Sequence, residues 1–321
     1  MRHKLLTFLL ALTGWLLAGV AWAATPLLTP RELQALLAAS EPRVIDLRAP
    51  ADYQKQHLPG AVSAPYGRWR GPASNPGELP PPAALTALVQ ELGLTPETHA
   101  VIVYAGADAT DFGSAARVYW TLKSLGAQEL SILNGGLKAW QAAGLPLSTQ
   151  PHRVAASDWQ PTLSTRWLST LDDVKGQLDG QGALLVDSRP APFFQGHKLH
   201  GAAKVGGTLP GAVNLDSNLF FAPKSATLMD AAQLAARAEV LPDRAGEPTV
   251  AFCNTGHWAA TDWFVLSEVL GRPDVKLYPG SMVEWSQADT PLPMTNVPSR
   301  LAQLRYQLMN WSHRNLGTQA P

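Results

Sequence analysis

Apolar positions along this chain fall into two kinds of run. The first is short and continuous: Val44-Ile45, Ala100-Val101-Ile102-Val103-Tyr104-Ala105, Ala183-Leu184-Leu185-Val186 and Val250-Ala251-Phe252-Cys253 are each flanked by polar or turn residues. Such runs mark strands covered on both faces. The second kind repeats at helical spacing, most clearly from Ser114 to Leu125 and from Trp258 to Leu270. Thr29-Pro30-Arg31-Glu32-Leu33 opens a helix with a capping threonine and a first-turn proline, and Ser169 is expected to cap the corresponding helix later in the chain. Buried strands alternating with helices predict an α/β architecture of parallel sheets with helices on both faces.

The runs also repeat. Val44-Ile45-Asp46-Leu47-Arg48 with Leu58-Pro59-Gly60-Ala61-Val62 returns as Leu185-Val186-Asp187-Ser188-Arg189 with Leu209-Pro210-Gly211-Ala212-Val213. Val101 to Gly106 matches Thr249 to Asn254, and Asn134 to Trp140 matches Pro279 to Trp285. Four blocks in one order at similar spacing indicate a duplicated domain. The expected organisation is a first domain over residues 24–148, a linker over 149–164, a second domain over 165–292 and a helical tail over 293–321. In that tail Leu301, Leu304, Leu308 and Trp311 share one helical face, which is expected to pack on a domain.

The first 23 residues read differently. Arg2, His3 and Lys4 precede an apolar stretch from Leu5 to Val20, and Ala21-Trp22-Ala23 supplies small residues at the spacing of a signal-peptidase site. An exported, periplasmic protein cleaved before Ala24 is the expectation; an uncleaved anchor is the alternative, and the stretch is short for a full span. No membrane span is expected after cleavage. The 25 basic and 25 acidic residues balance, which points away from nucleic acid and anionic membrane surfaces as partners.

Composition changes the picture at one point. Cys253 is the only cysteine, so no intramolecular disulfide is possible in a compartment that favours them. It ends an apolar strand and begins the small polar loop Asn254-Thr255-Gly256-His257, ahead of the helix from Trp258. Ligand and catalytic groups in such sheets collect where strand ends meet helix starts. The loop is expected to curl with its N–H groups inward, Gly256 allowing the unusual backbone angle, so that a negative sulfur is favoured there. Cys253 is therefore the candidate nucleophile.

The repeated Asp-x-Arg, the Pro-Gly-Ala turns, the loop Cys253 to Trp258 and Gly280-Ser281-x-x-Glu284-Trp285 together resemble the tandem-domain rhodaneses, sulfurtransferases of the thiosulfate or 3-mercaptopyruvate type. The resemblance covers about residues 27 to 292. It implies that only the second copy is catalytic, at a cleft between domains, and Ala105 is read as the first-copy residue at the position of Cys253. It further implies a cysteine persulfide formed from a small sulfur-containing donor and passed to a thiol or cyanide acceptor, without cofactor or metal. This chain departs from the family pattern at three places. Pro190 to Phe194 lack the second arginine often found after Asp-x-Arg, Asn254 and Thr255 stand where Arg or Lys often follows the cysteine, and Met282 replaces a common aromatic. A less cationic pocket is expected.

Other residues carry weaker expectations. Asp187 and Arg189 are expected to form a charge pair below the loop, bracing it rather than contacting substrate, with Asp46 and Arg48 as the first-domain equivalent. His257 either donates to the sulfur or a donor anion, or is an exposed loop histidine. Trp258 is expected to pack on the sheet rather than wall the cleft, and Asp262 to face solvent or stabilise its helix. His197 and His200 lack a third ligand, so no metal site is expected. A phosphatase would need a longer loop closed by arginine. A carrier delivering persulfide to a protein partner is the other alternative.

Overall fold

The computed structural model describes residues 24–178, 182–244 and 246–301. The leader over residues 1–23 and nearly all of the expected tail helix lie outside them. In the first half, strands β1 (Leu27–Leu28), β2 (Arg43–Asp46), β3 (Val62–Ser63), β4 (Ala100–Val103) and β5 (Leu130–Leu133) form a parallel sheet in the order β1-β5-β4-β2-β3. In the second, β6 (Leu184–Asp187), β7 (Val213–Asn214), β8 (Thr249–Phe252) and β9 (Val275–Leu277) form a parallel sheet in the order β7-β6-β8-β9. Apart from the extra edge strand β1, the two orders coincide once β2 is matched with β6 and β4 with β8, so the repeat in sequence is a repeat in topology.

Helices α1 (Pro30–Ala39), α2 (Pro50–Lys55), α3 (Pro82–Glu91), α4 (Ala109–Ser124) and α5 (Gly136–Ala142) surround the first sheet. Helices α6 (Leu171–Gln177), α7 (Ala191–Phe194), α8 (Ala231–Ala238), α9 (Trp258–Trp263) and α10 (Ser281–Gln287) surround the second. Thr29 caps α1 as its sequence predicts, in a reciprocal pair with Glu32. The cap of α6 is Thr170 rather than Ser169. Ser169 is drawn into the sheet edge instead, its N–H donating to Leu277 O at 2.9 Å. The long helix expected from Trp258 to Leu270 is α9 continued by a wider π-helical turn, Phe264–Val269.

Strand alternation divides the core. On β4, Val101 and Val103 face a cluster confined to the first domain; on β8, Val250 and Phe252 face one confined to the second. The opposite faces, carrying Ile102, Tyr104, Ala251 and Cys253, belong to a single cluster that runs through both domains. Helices α4 and α9 meet at its centre, where Tyr119 packs edge-on against Phe264 at 5.0 Å and Phe112 meets Phe264 at 5.7 Å. Lys123 of α4 pairs with the half-buried Glu268 at 2.6 Å, and Tyr119 donates to the same carboxylate. Segment 149–164 forms no helix or strand, yet it lies along the first domain, with Ser157 N–H donating to Gln90 O.

Candidate active site

Cys253 follows the last residue of β8 on the face shared between domains, and it is buried, with 1 % of its surface exposed. Its N–H and that of Gly256 both donate to Ser281 Oγ, at 3.0 and 3.1 Å, while the Ser281 hydroxyl donates to Tyr278 O. The loop therefore wraps around a serine hydroxyl, with at least these N–H groups directed inward. Ser281 holds a left-handed φ of 54°, which costs a non-glycine residue about 1 kcal/mol or more. Its first-domain counterpart is Gly136, at φ 59°. A strained serine where the other copy uses glycine is a polar group placed at an energetic cost.

Gly256 also has a positive φ, 64°, and a Cβ there would lie 2.5 Å from Arg117 Nη1 and 2.6 Å from Pro279 O. Close approach as well as backbone angle demands glycine at this position.

The Asp187–Arg189 pair sits beneath the loop and is buried. Arg189 Nη2 donates to Asp187 at 2.6 Å and to Gly207 O at 2.8 Å, Nε donates to Asp187, and Nη1 reaches Asn254 Oδ1 at 3.3 Å. Thr208 donates to the same carboxylate. The guanidinium fork is spent on the protein itself, so the pair braces the loop through Asn254.

Strand register corrects the repeat alignment by one residue. Asp46 pairs with Val103 and Asp187 with Phe252, so the residue after β4 that matches Cys253 is Tyr104, not Ala105. Leu137 N–H donating to Tyr104 O and Met282 N–H donating to Cys253 O give the same match. Tyr104 projects across the domain boundary, its hydroxyl donating to Ala226 O at 2.7 Å, and burial pushes its phenol well above the usual range. The first-copy loop is also filled from within: Gly106 and Ala107 N–H groups donate to the Asp111 carboxylate.

The first domain closes over the second-copy loop. His257 is half-buried, and neither sequence reading of it holds. Its Nε2 lies 2.7 Å from Thr110 O, an acceptor only, so Nε2 carries the proton. Its Nδ1 then accepts from Tyr66 Oη at 2.8 Å. Burial first, and then the nearby Arg70, push the imidazole down to about 4, so it is neutral at pH 7 and both its nitrogens are committed to the first domain. Trp258 packs against the shared core, and it also meets Phe193 at 5.7 Å while its N–H points to Thr110 Oγ1 at 3.4 Å. Gly113 permits this closure, because a Cβ on that turn of α4 would strike the His257 ring and its carbonyl oxygen.

Nor is the site poor in cations. Arg70 Nη2 donates to Thr255 O at 2.9 Å and Nη1 to Tyr66 Oη at 2.9 Å. Arg117, fully buried, donates to Gly77 O at 2.7 Å and, more loosely, to Gly256 O at 3.3 Å and Thr255 O at 3.5 Å. The second domain's missing arginine concealed these, because both come from the first domain. An arginine inside the apolar periodicity of α4 was the available signal for Arg117; Arg70 and Tyr66 offered none.

Asp262 is the remaining correction. It is fully buried on α9, and neither carboxylate oxygen has a well-formed hydrogen bond. Burial pushes its carboxyl well above the usual range; Ser188 opposes this, while Asp216 and Asp187 add to it. His200 is half-buried, its Nδ1 accepting from Ala202 N–H. Among the described residues no group of His, Cys, Asp or Glu is arranged to hold a metal.

These features agree with what the chain resembles. The rhodanese-like domain model matches twice, over residues 29–143 and 170–288. Thiosulfate sulfurtransferase of Azotobacter vinelandii is 34% identical over 274 residues, covering 84% of this chain and 98% of the relative. A probable 3-mercaptopyruvate sulfurtransferase of Pseudomonas aeruginosa is 32% identical, covering 81% of this chain and 94% of the relative. The crystal structure of SseA from Escherichia coli, described with the 3-mercaptopyruvate sulfotransferases, superposes with a TM-score of 0.68 at 25% identity, covering 80% of this chain and 99% of that one. Two matched domains, the shared topology and relatives aligned over most of their length lead to one conclusion: the chain belongs to the rhodanese-like family and is a sulfurtransferase enzyme of the thiosulfate and 3-mercaptopyruvate type.

Proposed function

We propose that Cys253 carries the transferred sulfur as a persulfide. The single observation behind this reading is the sole cysteine of the chain, set at the end of β8 in a loop whose N–H groups turn inward to Ser281 and whose carbonyls face two arginines. The Cys253 thiolate attacks the outer sulfur of a donor such as thiosulfate; the new S–S bond forms as the donor's S–S bond breaks, and sulfite leaves with the electron pair. An acceptor such as cyanide or a thiolate then attacks the outer persulfide sulfur. Thiocyanate or a new persulfide departs, and the Cys253 thiolate returns. With 3-mercaptopyruvate the bond broken is C–S, and enolpyruvate takes a proton to leave as pyruvate.

The leader pattern supports export to the periplasm, where this chemistry would act on small donors and acceptors; a protein thiol is the alternative acceptor. Fast single-turnover transfer to a protein, with slow turnover on small thiols, would favour that alternative. Export is tested by fractionating cells and sequencing the mature N-terminus, with Ala24 expected first.

The central test is intact mass after incubation with thiosulfate or 3-mercaptopyruvate. A gain of one sulfur is expected in the unsubstituted protein and none in Cys253→Ser, which should fold normally and transfer nothing to cyanide. Undiminished transfer by Cys253→Ser would refute the assignment.

A further inference from the structure

The first domain has no cysteine, yet it holds two arginines against the loop of the second. A trans peptide directs its C=O and N–H to opposite sides, and no peptide among the described residues is cis. Arg70 and Arg117 draw the Thr255 carbonyl toward themselves, so the N–H of the same peptide, that of Gly256, points the other way, to Ser281 Oγ inside the loop. Arg117 does likewise to the Gly256 carbonyl, whose peptide directs the His257 N–H to the side opposite the guanidinium.

Charge gives a second, independent observation. Among the described residues no carboxylate pairs with Arg70 or Arg117. Arg117 is fully buried and its Nε has no hydrogen-bond partner. A buried guanidinium without a counter-ion is costly and calls for a compensating anion. The other groups facing the loop do not provide one. Tyr66 and His257 are neutral, Asp187 is neutralised by Arg189, and burial pushes the Asp262 carboxyl upward, toward its neutral form. His200, beside Arg70, is held toward its neutral form, by burial first and then by that arginine. Asp108 acts on His257, and Glu284 lies against Gly280 beside Ser281, its carboxyl raised by burial. Of the groups able to carry negative charge, Tyr66 and Cys253 are the ones whose charge would hold up that of Arg117, and Tyr66 is neutral. Burial and Arg70 together push Arg117 down to about 9, while Tyr66 and Cys253 oppose them, so the guanidinium is still charged at pH 7.

We propose that Arg70 and Arg117 are positioning residues forming the cationic half of the sulfur site: they orient the Thr255 and Gly256 peptides and offset the negative charge on Cys253. The assignment rests on Cys253 being the working sulfur, and it places the electrostatic part of the site in the domain that does no chemistry. The cations absent from the second domain's own motif are thereby supplied across the interface.

The test is the pH profile of Cys253 alkylation by iodoacetamide, read by mass in the full chain, where the sole cysteine makes the label site-specific. Arg70→Met and Arg117→Met are each expected to move the profile to higher pH by about one pH unit, with alkylation at pH 7 about tenfold slower. Arg70→Lys and Arg117→Lys, which keep the charge, should recover most of the shift. Arginines serving only to join the domains would change the melting temperature and leave the profile in place. A profile unmoved in folded Arg70→Met and Arg117→Met overturns the proposal; if Arg117→Met does not fold, the half-buried Arg70 decides it alone. Alkylation requires no sulfur transfer. A shifted profile in a protein that never gains sulfur would therefore sink the persulfide reading and leave this one standing.

Discussion

Asp262 shows how a single residue can sit against the grain of its surroundings. Its carboxyl is buried beside Ser188, with Asp187 and Asp216 close by, and its proton affinity is raised well above the ordinary carboxylate value. A folded-state value above the unfolded one means that the folded chain holds a proton the unfolded chain has lost. The associated stability is present below about pH 4 and is lost as pH rises toward the folded value. Asp262→Asn removes that dependence. Its melting temperature should gain on the unsubstituted protein as pH rises from 4 to 8. A pH-independent difference would refute the protonated carboxyl. Sequence gave no warning here, because aspartate on a helix ordinarily faces water; burial is a property of the neighbours. Ser281 is the opposite case. Its serine-for-glycine exchange against Gly136 stood in the aligned repeats, but its service to the loop required the distances from its Oγ to Cys253 and Gly256 N–H.

At the scale of elements, the loop from β8 to α9 is shaped by three constraints that meet at Gly256: a left-handed φ, the Pro279 carbonyl and the Arg117 guanidinium. Gly256→Ala is expected to cost about 1 kcal/mol in backbone strain and more from the clash with Pro279. It should lower sulfur transfer at least tenfold, while Ala at Gly60, whose Cβ would meet nothing within 4 Å, should leave transfer within twofold. Equal transfer rates in the two variants would contradict the close packing described for the loop. Strands and helices were legible here because period-2 and period-3.6 patterns are local. The one-residue misalignment of Ala105 with Cys253 had a physical source: apolar runs on doubly covered strands carry no internal mark of register, and only the pairing of β2 with β4 and of β6 with β8 placed Tyr104 opposite the cysteine.

The whole molecule is governed by the face its two domains share. Phe112, Tyr119, Trp263 and Phe264 make that face one core, and Lys123–Glu268 crosses it. His257 adds a bridge that needs a neutral ring, donating to Thr110 O and accepting from Tyr66. Its value falls from near 6.5 in the unfolded chain to about 4 when folded. Between those values the unfolded chain binds more protons, so the bridge stabilises fully above pH 6.5 and is lost as pH falls toward 4. Thermal melts should fall across that window, and His257→Asn should lessen the fall; burial also lowers His99 and His200, so part of the slope should remain. An identical slope in the variant would exclude His257 as a contributor. The amino-acid sequence by itself determined the duplicated α/β plan, the position of the nucleophile candidate and the Asp187–Arg189 pair, because each is set by local pattern or by residues close in the chain. Tertiary structure alone decided that Tyr66, Arg70, Thr110 and Arg117 surround a loop more than 130 residues away. Side chains so distant in sequence meet only after both sheets have formed and buried a common face, and no one-dimensional periodicity records which residues of that face will touch.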